Sequence, residues 1–379
     1  MLAAFAVLLA LAGYLLVHYE TGGAGAPRCT VRAEGDGTGD GTTYVLDPEQ
    51  AVNAASIEAV ASSRGLPERA VTIALATAMQ ESGLRNITHG DRDSVGLFQQ
   101  RPSQGWGTGK QIRDPVYSAG RFYDHLVKVP GYSRLPLTVA AQKVQRSGFP
   151  QAYAKHEVDA ALLTSALTGR TAGTFNCTMP VDDGTPGDPA RVRAKLTREF
   201  GPEVLPAAAA REAGQPQKAR QTPGPRQTRG ARVPQETQRA TDDGGREGER
   251  AADRDPVVTV PVRASAAAPG GDPARRGWEL AHWAVAHASE LRIDRISYGR
   301  QVWTAADSED GWREQGGGSK NAGGSADASD SPDAGSAADS GDATGTGDAA
   351  GTGDAADTGD ASDTGGKNSA GEVRITTAH

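Results

Sequence analysis

One stretch of the chain is apolar around almost its whole helical circumference. Residues 70–79 are alanines and larger apolar residues with two threonines, a composition that predicts a buried helix. Pro67 and Glu68 suit a helix start, because proline is tolerated in the first turn and a carboxylate is stabilised by the positive end of the helix dipole. Gly83 suits a helix end. The pattern therefore predicts a helix that closes just after Glu81.

In the second half of the chain the apolar pattern becomes intermittent. Residues 190–205 repeat apolar side chains at helical spacing and predict one amphipathic helix. The β-branched run at 257–262 predicts a strand, the apolar positions of 278–291 predict a helix, and residues 293–303 predict a hairpin. A candidate final strand lies within 371–379.

Two long segments have compositions that exclude a packed core. Residues 206–255 are rich in Pro, Gln, Arg, Gly and Glu and contain almost no large apolar residues, which predicts a disordered linker. Residues 314–370 form an acidic tract in which Gly-Asp-Ala recurs at regular spacing. Most of the acidic excess lies there, so the formal net charge of -7 describes this tract rather than the folded parts.

The first residues form an uncharged apolar run over residues 2–17. This run predicts a signal anchor or a signal peptide within residues 1–26. Both alternatives imply export. The protein is therefore expected to be exported, either membrane-anchored through a transmembrane N-terminal helix or secreted if the segment is cleaved.

These patterns predict a mainly α protein with one larger folded domain and a small α/β domain, interrupted by disordered segments. In chain order the predicted parts are a signal segment at 1–26, the larger domain at 27–180, a helix at 181–205, a linker at 206–255, a small α/β segment at 256–313, an acidic low-complexity tract at 314–370 and a final strand at 371–379.

The only two cysteines, Cys29 and Cys177, bracket the larger domain. In an exported chain they are expected to form a disulfide that ties the two ends of the domain together. The alternative is two unrelated thiols. No metal site is predicted, because the histidines are scattered and have no partner cysteines at the spacing of zinc ligands.

Glu81 is the candidate catalytic residue. It closes the apolar helix and precedes the segment Gly96-Leu97-Phe98-Gln99-Gln100, which lies at a distance that can fold back over it. Burial and the negative end of the helix both favour the protonated carboxyl, which is the form that a general acid in glycoside cleavage requires. The alternative is a glutamate that only marks where the helix reaches the surface.

Three landmarks in a fixed order carry a resemblance to a known family. They are Glu81-Ser82, Gly96-Leu97-Phe98-Gln99, and Asp114-Pro115-Val116-Tyr117 leading into a further helix. In this order they resemble the lysozyme-like superfamily, in particular lytic transglycosylases of an actinobacterial kind, over about residues 47–170. The resemblance implies a lysozyme-like catalytic domain that cleaves the glycan strand of peptidoglycan without a cofactor.

The resemblance also implies roles for individual residues. Glu81 would protonate the oxygen between N-acetylmuramic acid and N-acetylglucosamine, and would then act as base while the muramyl 6-hydroxyl closes a 1,6-anhydro ring. Gln99 and Ser94 match residues that hydrogen-bond the sugar. The family's later Ala-Tyr-Asn signature is not evident, and Gln142 and Gln145 are the candidates for its amide. The predicted substrate-binding residues are Ser94, Gln99, Gln100, Gln142, Gln145 and Tyr153, the last through stacking on a sugar face.

A second carboxylate decides between two reaction types. Asp91 and Asp93 either position a water for hydrolysis, as in a lysozyme-type enzyme, or only shape a turn. Two further alternatives are a non-catalytic wall-binding module and a scaffold protein. The predicted partners are peptidoglycan strands and, through the N-terminal helix, a membrane. No nucleic-acid partner is predicted.

The small α/β segment and the final strand resemble the back part of a degenerate D-alanyl-D-alanine carboxypeptidase-like domain. Those enzymes close on an Asp/His metal motif. No such pair accompanies the strand candidate at 372–376, so the resemblance implies a binding or spacing role for this part.

Overall fold

The computed structural model describes residues 26–33, 42–149, 151–180, 183–206, 256–263, 272–315 and 371–379. These ranges combine α-helices with two antiparallel sheets. The architecture is therefore mixed helix and sheet, and the expectation of a mainly α fold is met only in part.

The central helix of the first folded part is α2. The helices of this part are α1 (Pro48–Ser63), α2 (Glu68–Ser82), α3 (Gly109–Ile112), α4 (Pro115–Leu126), α5 (Leu137–Gln145) and α6 (Glu157–Leu167). Helix α2 packs against α1, α4, α5 and α6, and residues 70–79 are all buried. The prediction of a buried helix that begins at Glu68 and ends before Gly83 is confirmed.

The C-terminus of α2 is fixed by the conformation of Gly83 and by hydrogen bonds from α1. Gly83 adopts a left-handed φ of 62° and closes the helix. From α1, Gln50 Nε2 donates to the Gly83 carbonyl at 2.7 Å and Asn53 Nδ2 donates to the Leu84 carbonyl at 2.8 Å. Because these bonds fix the two residues that directly follow the helix, Glu81 in the last turn has a well-defined backbone position.

A small sheet joins the two ends of this helical part. Strand β1 (Cys29–Arg32) lies between β2 (Thr43–Leu46) and β3 (Phe175–Cys177) and is antiparallel to both. Cys29 and Cys177 face each other in the register and form a disulfide, which is the pairing that the sequence predicts. The strands themselves were not predicted, because three or four residues are too few for a period to be recognised.

The second sheet is built mostly from the C-terminal part of the chain, in the order β4-β8-β5-β6-β7. Its strands are β4 (Val257–Pro261), β5 (Ile293–Tyr298), β6 (Gln301–Thr304), β7 (Arg313–Glu314) and β8 (Glu372–Thr377). Strand β8 lies where the pattern predicts a final strand, and it pairs with both β4 and β5. Residues 372–377 therefore form an interior strand of this sheet, between β4 and β5.

Helix α8 connects the second sheet to the helical part. The remaining helices of the described residues are α7 (Pro189–Phe200), α8 (Pro273–Ala286) and α9 (Ala288–Leu291). Helix α8 packs against β5 and β8, and also against α1, α6 and β3. Trp283 Nε1 of α8 donates to Glu199 Oε2 of α7 at 2.7 Å, and Ser56 of α1 donates to Glu199 Oε1 at 3.0 Å. The described residues up to 315 and from 371 thus belong to one compact unit.

His282 is buried completely at the contact between α8 and the helical part. Its Nδ1 lies 2.7 Å from the Ala166 carbonyl and donates to it, and its ring contacts Phe175, Trp278 and Trp312. No partner for its Nε2 is present among the residues that the structure describes. Burial lowers the pKa of His282 to about 4, so the ring is neutral at neutral pH.

Acidification from pH 7 to pH 5 is expected to destabilise the fold through His282. The unfolded chain binds a proton at an ordinary pKa of about 6.5, whereas the folded chain binds it only near 4. The contribution of neutral His282 to the free energy of unfolding is complete above the unfolded pKa and is lost as pH falls. At pH 5 the free energy of unfolding is lower by about 2 kcal/mol for this reason. Urea unfolding of wild type and His282→Phe at both pH values measures it.

The His282→Phe variant should lose about 2 kcal/mol less than wild type over this pH interval. Burial is the largest single influence on the pKa of His287 and lowers it, but the attraction and hydrogen bond of Glu199 together with the hydrogen bond of Glu290 raise this pKa above its usual value. The stabilisation from His287 is present at low pH and is lost as pH rises, but it acts in both proteins and cancels in the comparison. Equal losses in the two proteins would contradict the assignment to His282.

The prediction of a transmembrane helix is corrected by the structure. Across the described ranges, no helix is both long and apolar enough to cross a bilayer. The run at 2–17 on which the prediction rested lies outside those ranges.

Two further predictions also fall outside the described residues. Almost all of the predicted linker lies within 207–255, and almost all of the acidic tract lies within 316–370. Both remain predictions from composition.

Candidate functional site

A cleft with a volume of about 960 Å³ opens at the end of helix α2. Several predicted site residues that lie far apart in the sequence meet in its lining. They are Glu81, Asp91, Ser94, Gln99, Gln100 and Gln145. The cleft is therefore built from the helix end, the Gly-Leu-Phe-Gln segment and helix α5.

The Gly-Leu-Phe-Gln segment is fastened to its neighbours through its backbone carbonyls. Ser82 Oγ, next to Glu81, donates to the Leu97 carbonyl at 2.8 Å, and Gln145 Nε2 of α5 donates to the Phe98 carbonyl at 2.7 Å. Gly96 has a left-handed φ of 78°, and a Cβ there would lie 2.8 Å from a backbone oxygen of Ile112. Local structure therefore requires glycine here and gives Ser82 a structural role.

Tyr153 is the hydrogen-bond partner of the Glu81 carboxyl. Its hydroxyl donates to Glu81 Oε1 at 2.7 Å, and no other described side chain bonds to this carboxyl. Tyr153 is completely buried, and burial together with Glu81 raises its pKa well above the usual range. The phenol therefore stays protonated and acts as a permanent donor. Its ring is not available to stack on a sugar, which was the predicted role, so it instead orients the glutamate.

Three predicted polar residues in and beside the Gly-Leu-Phe-Gln segment differ in their hydrogen bonds. Ser94 is buried and lines the cleft. Gln99 Nε2 donates to the Gly96 carbonyl at 3.2 Å. Gln100 is buried and donates to the Ser118 carbonyl at 3.0 Å, while its Oε1 has no bond to any described residue. Gln99 lies at the cleft surface and is the amide best placed to meet a ligand.

Gln142 and Gln145, the two candidates for the amide of the Ala-Tyr-Asn signature, occupy different environments. Gln145 lines the cleft, although its amide nitrogen is committed to the Phe98 carbonyl. Gln142 does not line it, and its Nε2 donates to the Ser147 carbonyl at 2.7 Å. Of the two, Gln145 is therefore the one that borders the cleft.

The structure also places the two aspartates of the loop, Asp91 and Asp93, in different environments. Asp91 is exposed and lines the cleft. Asp93 accepts hydrogen bonds from Arg101 Nε at 2.8 Å and from the Ser103 backbone N–H at 2.7 Å, and it is absent from the cleft lining. The Arg101 guanidinium holds the pKa of Asp93 well below its usual range. Asp93 therefore braces the loop, and Asp91 is the aspartate that can contact water in the cleft.

Two aromatic side chains border the cleft. Trp106 packs edge-on against His125, with ring centroids 4.2 Å apart, and both line the cleft. Phe149 also lines it and is 78% exposed. The sequence did not single out Phe149, because one phenylalanine in a loop has no distinguishing pattern. An exposed aromatic ring beside polar groups suits the apolar face of a sugar.

Within the described part of the chain, no group of three or more His, Cys, Asp or Glu side chains comes together in a way that could hold a metal ion.

Comparison with known proteins gives one partial match. Residues 259–324 match the family model described as VldE, C-terminal domain. No curated protein matches the chain significantly. The matched stretch contains α8, α9, and strands β5 to β7, whereas the residues that line the cleft lie between 81 and 149. This similarity therefore concerns the second sheet and its helices, and it does not extend to the cleft.

Proposed function

We propose that the cleft cleaves the glycan strand of peptidoglycan, with Glu81 as general acid and base. The observation that carries this proposal is a partly buried glutamate at a helix end, oriented by a buried tyrosine and facing a polar cleft. The ordered resemblance of Glu81-Ser82 and Gly96-Leu97-Phe98-Gln99 to lytic transglycosylases supports the choice of substrate. A lysozyme-like fold of the part built from α1 to α6 belongs to the same proposal.

In this mechanism Tyr153 holds Glu81 Oε1, which leaves the other carboxyl oxygen for the substrate. The protonated carboxyl donates to the oxygen that joins N-acetylmuramic acid to N-acetylglucosamine, and the bond to the muramyl anomeric carbon breaks through an oxocarbenium-like state. The carboxylate then takes the proton of the muramyl 6-hydroxyl as this oxygen attacks the anomeric carbon. The proton returns to Glu81, and no water is consumed.

Attack by the substrate's own hydroxyl is the favoured route for two reasons. An intramolecular nucleophile is already positioned next to the reacting carbon. Asp93, one of the two candidate water-positioning residues, is committed to Arg101. Hydrolysis remains the second candidate, because Asp91 is exposed in the same cleft.

Asp91→Asn is expected to retain at least about half of wild-type activity, since the transglycosylase route needs no second carboxylate. Asp93→Asn serves as a comparison from the same loop that lies outside the cleft. The measurement is the rate of release of soluble fragments from purified peptidoglycan. A loss of a hundredfold or so in Asp91→Asn alone would favour a lysozyme-type hydrolase in which that aspartate positions the water.

Tyr153→Phe is expected to lower kcat about tenfold or more with little change in KM. The variant keeps the ring but removes a hydrogen bond to a charged group, which typically contributes about 1.5–3 kcal/mol. Steady-state kinetics on soluble glycan oligomers separate the two constants. Tyr132→Phe, a half-buried tyrosine outside the cleft lining, is the matched control. An unchanged kcat in Tyr153→Phe would remove the positioning role.

The proposal includes export to the cell wall, where the substrate is found. The disulfide between Cys29 and Cys177 supports this location, because such bonds persist in oxidising compartments. A direct test is the release of dye from labelled peptidoglycan by the intact chain. The intact chain is required, since α8 shares its packing with α1 and α6. Absence of any release under oxidising conditions would contradict the proposal.

A further inference from the structure

Three cationic side chains line the cleft without a carboxylate partner. Lys128 follows α4, Lys143 lies in α5, and Arg146 follows α5. All three are exposed, and within the described ranges none of them forms an ion pair. Arg101 in the same cleft is different, because Asp93 neutralises it at 2.8 Å. The cleft therefore carries positive charge that the described structure leaves uncompensated.

The positive charge of these side chains also affects His125 at the cleft wall. Its ring lines the cleft, and its pKa is lowered by burial and by the nearby charges of Arg121, Lys128 and Arg146, with Asp124 acting in the opposite direction. Lys128 and Arg146 therefore lie close enough to this cleft-lining ring to disfavour its protonated form.

Arg146 follows the last residue of α5 and lines the cleft. This residue caps α5 in the left-handed conformation, with φ of 53°. Glycine, and next asparagine, is favoured at such a position because a Cβ is disfavoured there. The side chain of Arg146 is therefore carried at the end of α5, in the lining of the cleft that Lys143 of the same helix also borders.

We propose that Lys128, Lys143 and Arg146 form a subsite for carboxylates carried by the glycan strand. This inference rests on the proposed function and specifies the substrate further. Neutral sugar hydroxyls would leave the three charges uncompensated, whereas carboxylates bring the opposite charge. Peptidoglycan offers this group on the peptides and, where a peptide has been removed, on the lactyl ether of muramic acid, because the peptide is attached through the lactyl carboxyl. Phe149, three residues after Arg146, adds an exposed apolar surface beside the charges.

The test measures binding in a protein that carries Glu81→Gln, so that the strands are not cleaved. Its affinity is measured for soluble glycan strands with peptides, for the same strands after removal of the peptides, and for uncharged chitohexaose. We expect Lys128→Gln, Lys143→Gln and Arg146→Gln together to weaken binding of carboxylate-bearing strands about tenfold or more. Binding of chitohexaose should be unchanged.

The matched control removes three exposed cations outside the cleft lining, with Lys110→Gln, Arg134→Gln and Arg191→Gln. This control should bind as the parent does. If the tenfold loss disappears once peptides are removed, the subsite takes only carboxylates of the peptide; if it persists, the subsite also takes the lactyl carboxylate that peptide removal sets free. Either result supports the subsite.

The inference is overturned if the cleft triple variant binds carboxylate-bearing strands as tightly as its parent, or if the outside-cleft control loses as much affinity. Its failure is distinguishable from that of the proposed function, because cleavage is measured separately in wild type. Cleavage without charge-dependent binding overturns only the subsite. Charge-dependent binding without cleavage supports the subsite and contradicts the catalytic proposal.

Discussion

Glu81→Gln is expected to lower the rate of peptidoglycan cleavage by about a hundredfold or more. The amide has the shape of the acid and can still accept the hydrogen bond from Tyr153, but it has no proton to give to the leaving oxygen. General acid catalysis typically contributes about 10²–10⁴ to a rate, and here the same group also acts as the base. The measurement is the initial rate of muropeptide release by the intact chain.

A matched control is Glu203→Gln, an exposed glutamate outside the cleft lining, which should keep wild-type activity. Circular dichroism and thermal unfolding should be the same for wild type and Glu81→Gln, because α2 is buried and closed independently of this side chain. Near wild-type activity in a folded Glu81→Gln protein would remove Glu81 from the mechanism.

Removal of the disulfide is expected to produce the largest change in stability. Cys29 and Cys177 are separated by 148 positions, and in the chain-entropy treatment a closed loop of this length stabilises the fold by about 5 kcal/mol. This is a large part of the roughly 5–15 kcal/mol that ordinarily holds a folded domain together. The double variant Cys29→Ser and Cys177→Ser should therefore unfold at a clearly lower denaturant concentration.

Guanidinium unfolding of wild type, with and without reductant, is the measurement. Reductant should shift the midpoint of wild type to that of the serine variant and should leave the variant itself unchanged. Peptide mapping without reduction should find the two cysteine peptides linked in protein made in an oxidising compartment. Two alkylatable thiols in such protein, or a midpoint that does not respond to reductant, would contradict the role of the disulfide.

Local patterns were sufficient to predict α2, and with it the location of Glu81. A continuous apolar run predicts burial, and a glycine after the run predicts where the helix ends, so the catalytic candidate follows from neighbouring residues. The disulfide pairing needed only the count of cysteines. These predictions succeed because the interactions involved are local or have a single possible partner.

The partner of Glu81 could not be predicted in the same way. Tyr153 lies 72 positions away, and its local sequence does not show that its hydroxyl would be buried against a carboxyl. A stacking role was expected for its ring, whereas tertiary packing placed it in the core. The amide of Gln145 likewise braces the Phe98 carbonyl, a role that depends on how α5 meets the Gly-Leu-Phe-Gln segment.

The packing of α8 was also outside the reach of pattern analysis. Apolar spacing at 278–291 correctly indicated a helix, but periodicity identifies a buried face and not its partner. Trp283 and His282 contact α7 and the end of α6 through Glu199 and the Ala166 carbonyl. A helix expected in a separate small domain therefore shares a core with the part that carries the cleft.

The most direct test of the central claim is the mass of the products that the intact, oxidised protein releases from purified peptidoglycan. Cleavage by Glu81 with attack of the muramyl 6-hydroxyl predicts muropeptides that end in 1,6-anhydromuramic acid, about 18 Da lighter than hydrolysed ends because one water is not added. Release of these products by wild type, and their loss in Glu81→Gln, is the expected result. Peptidoglycan that remains uncut at its glycosidic bonds would contradict the account.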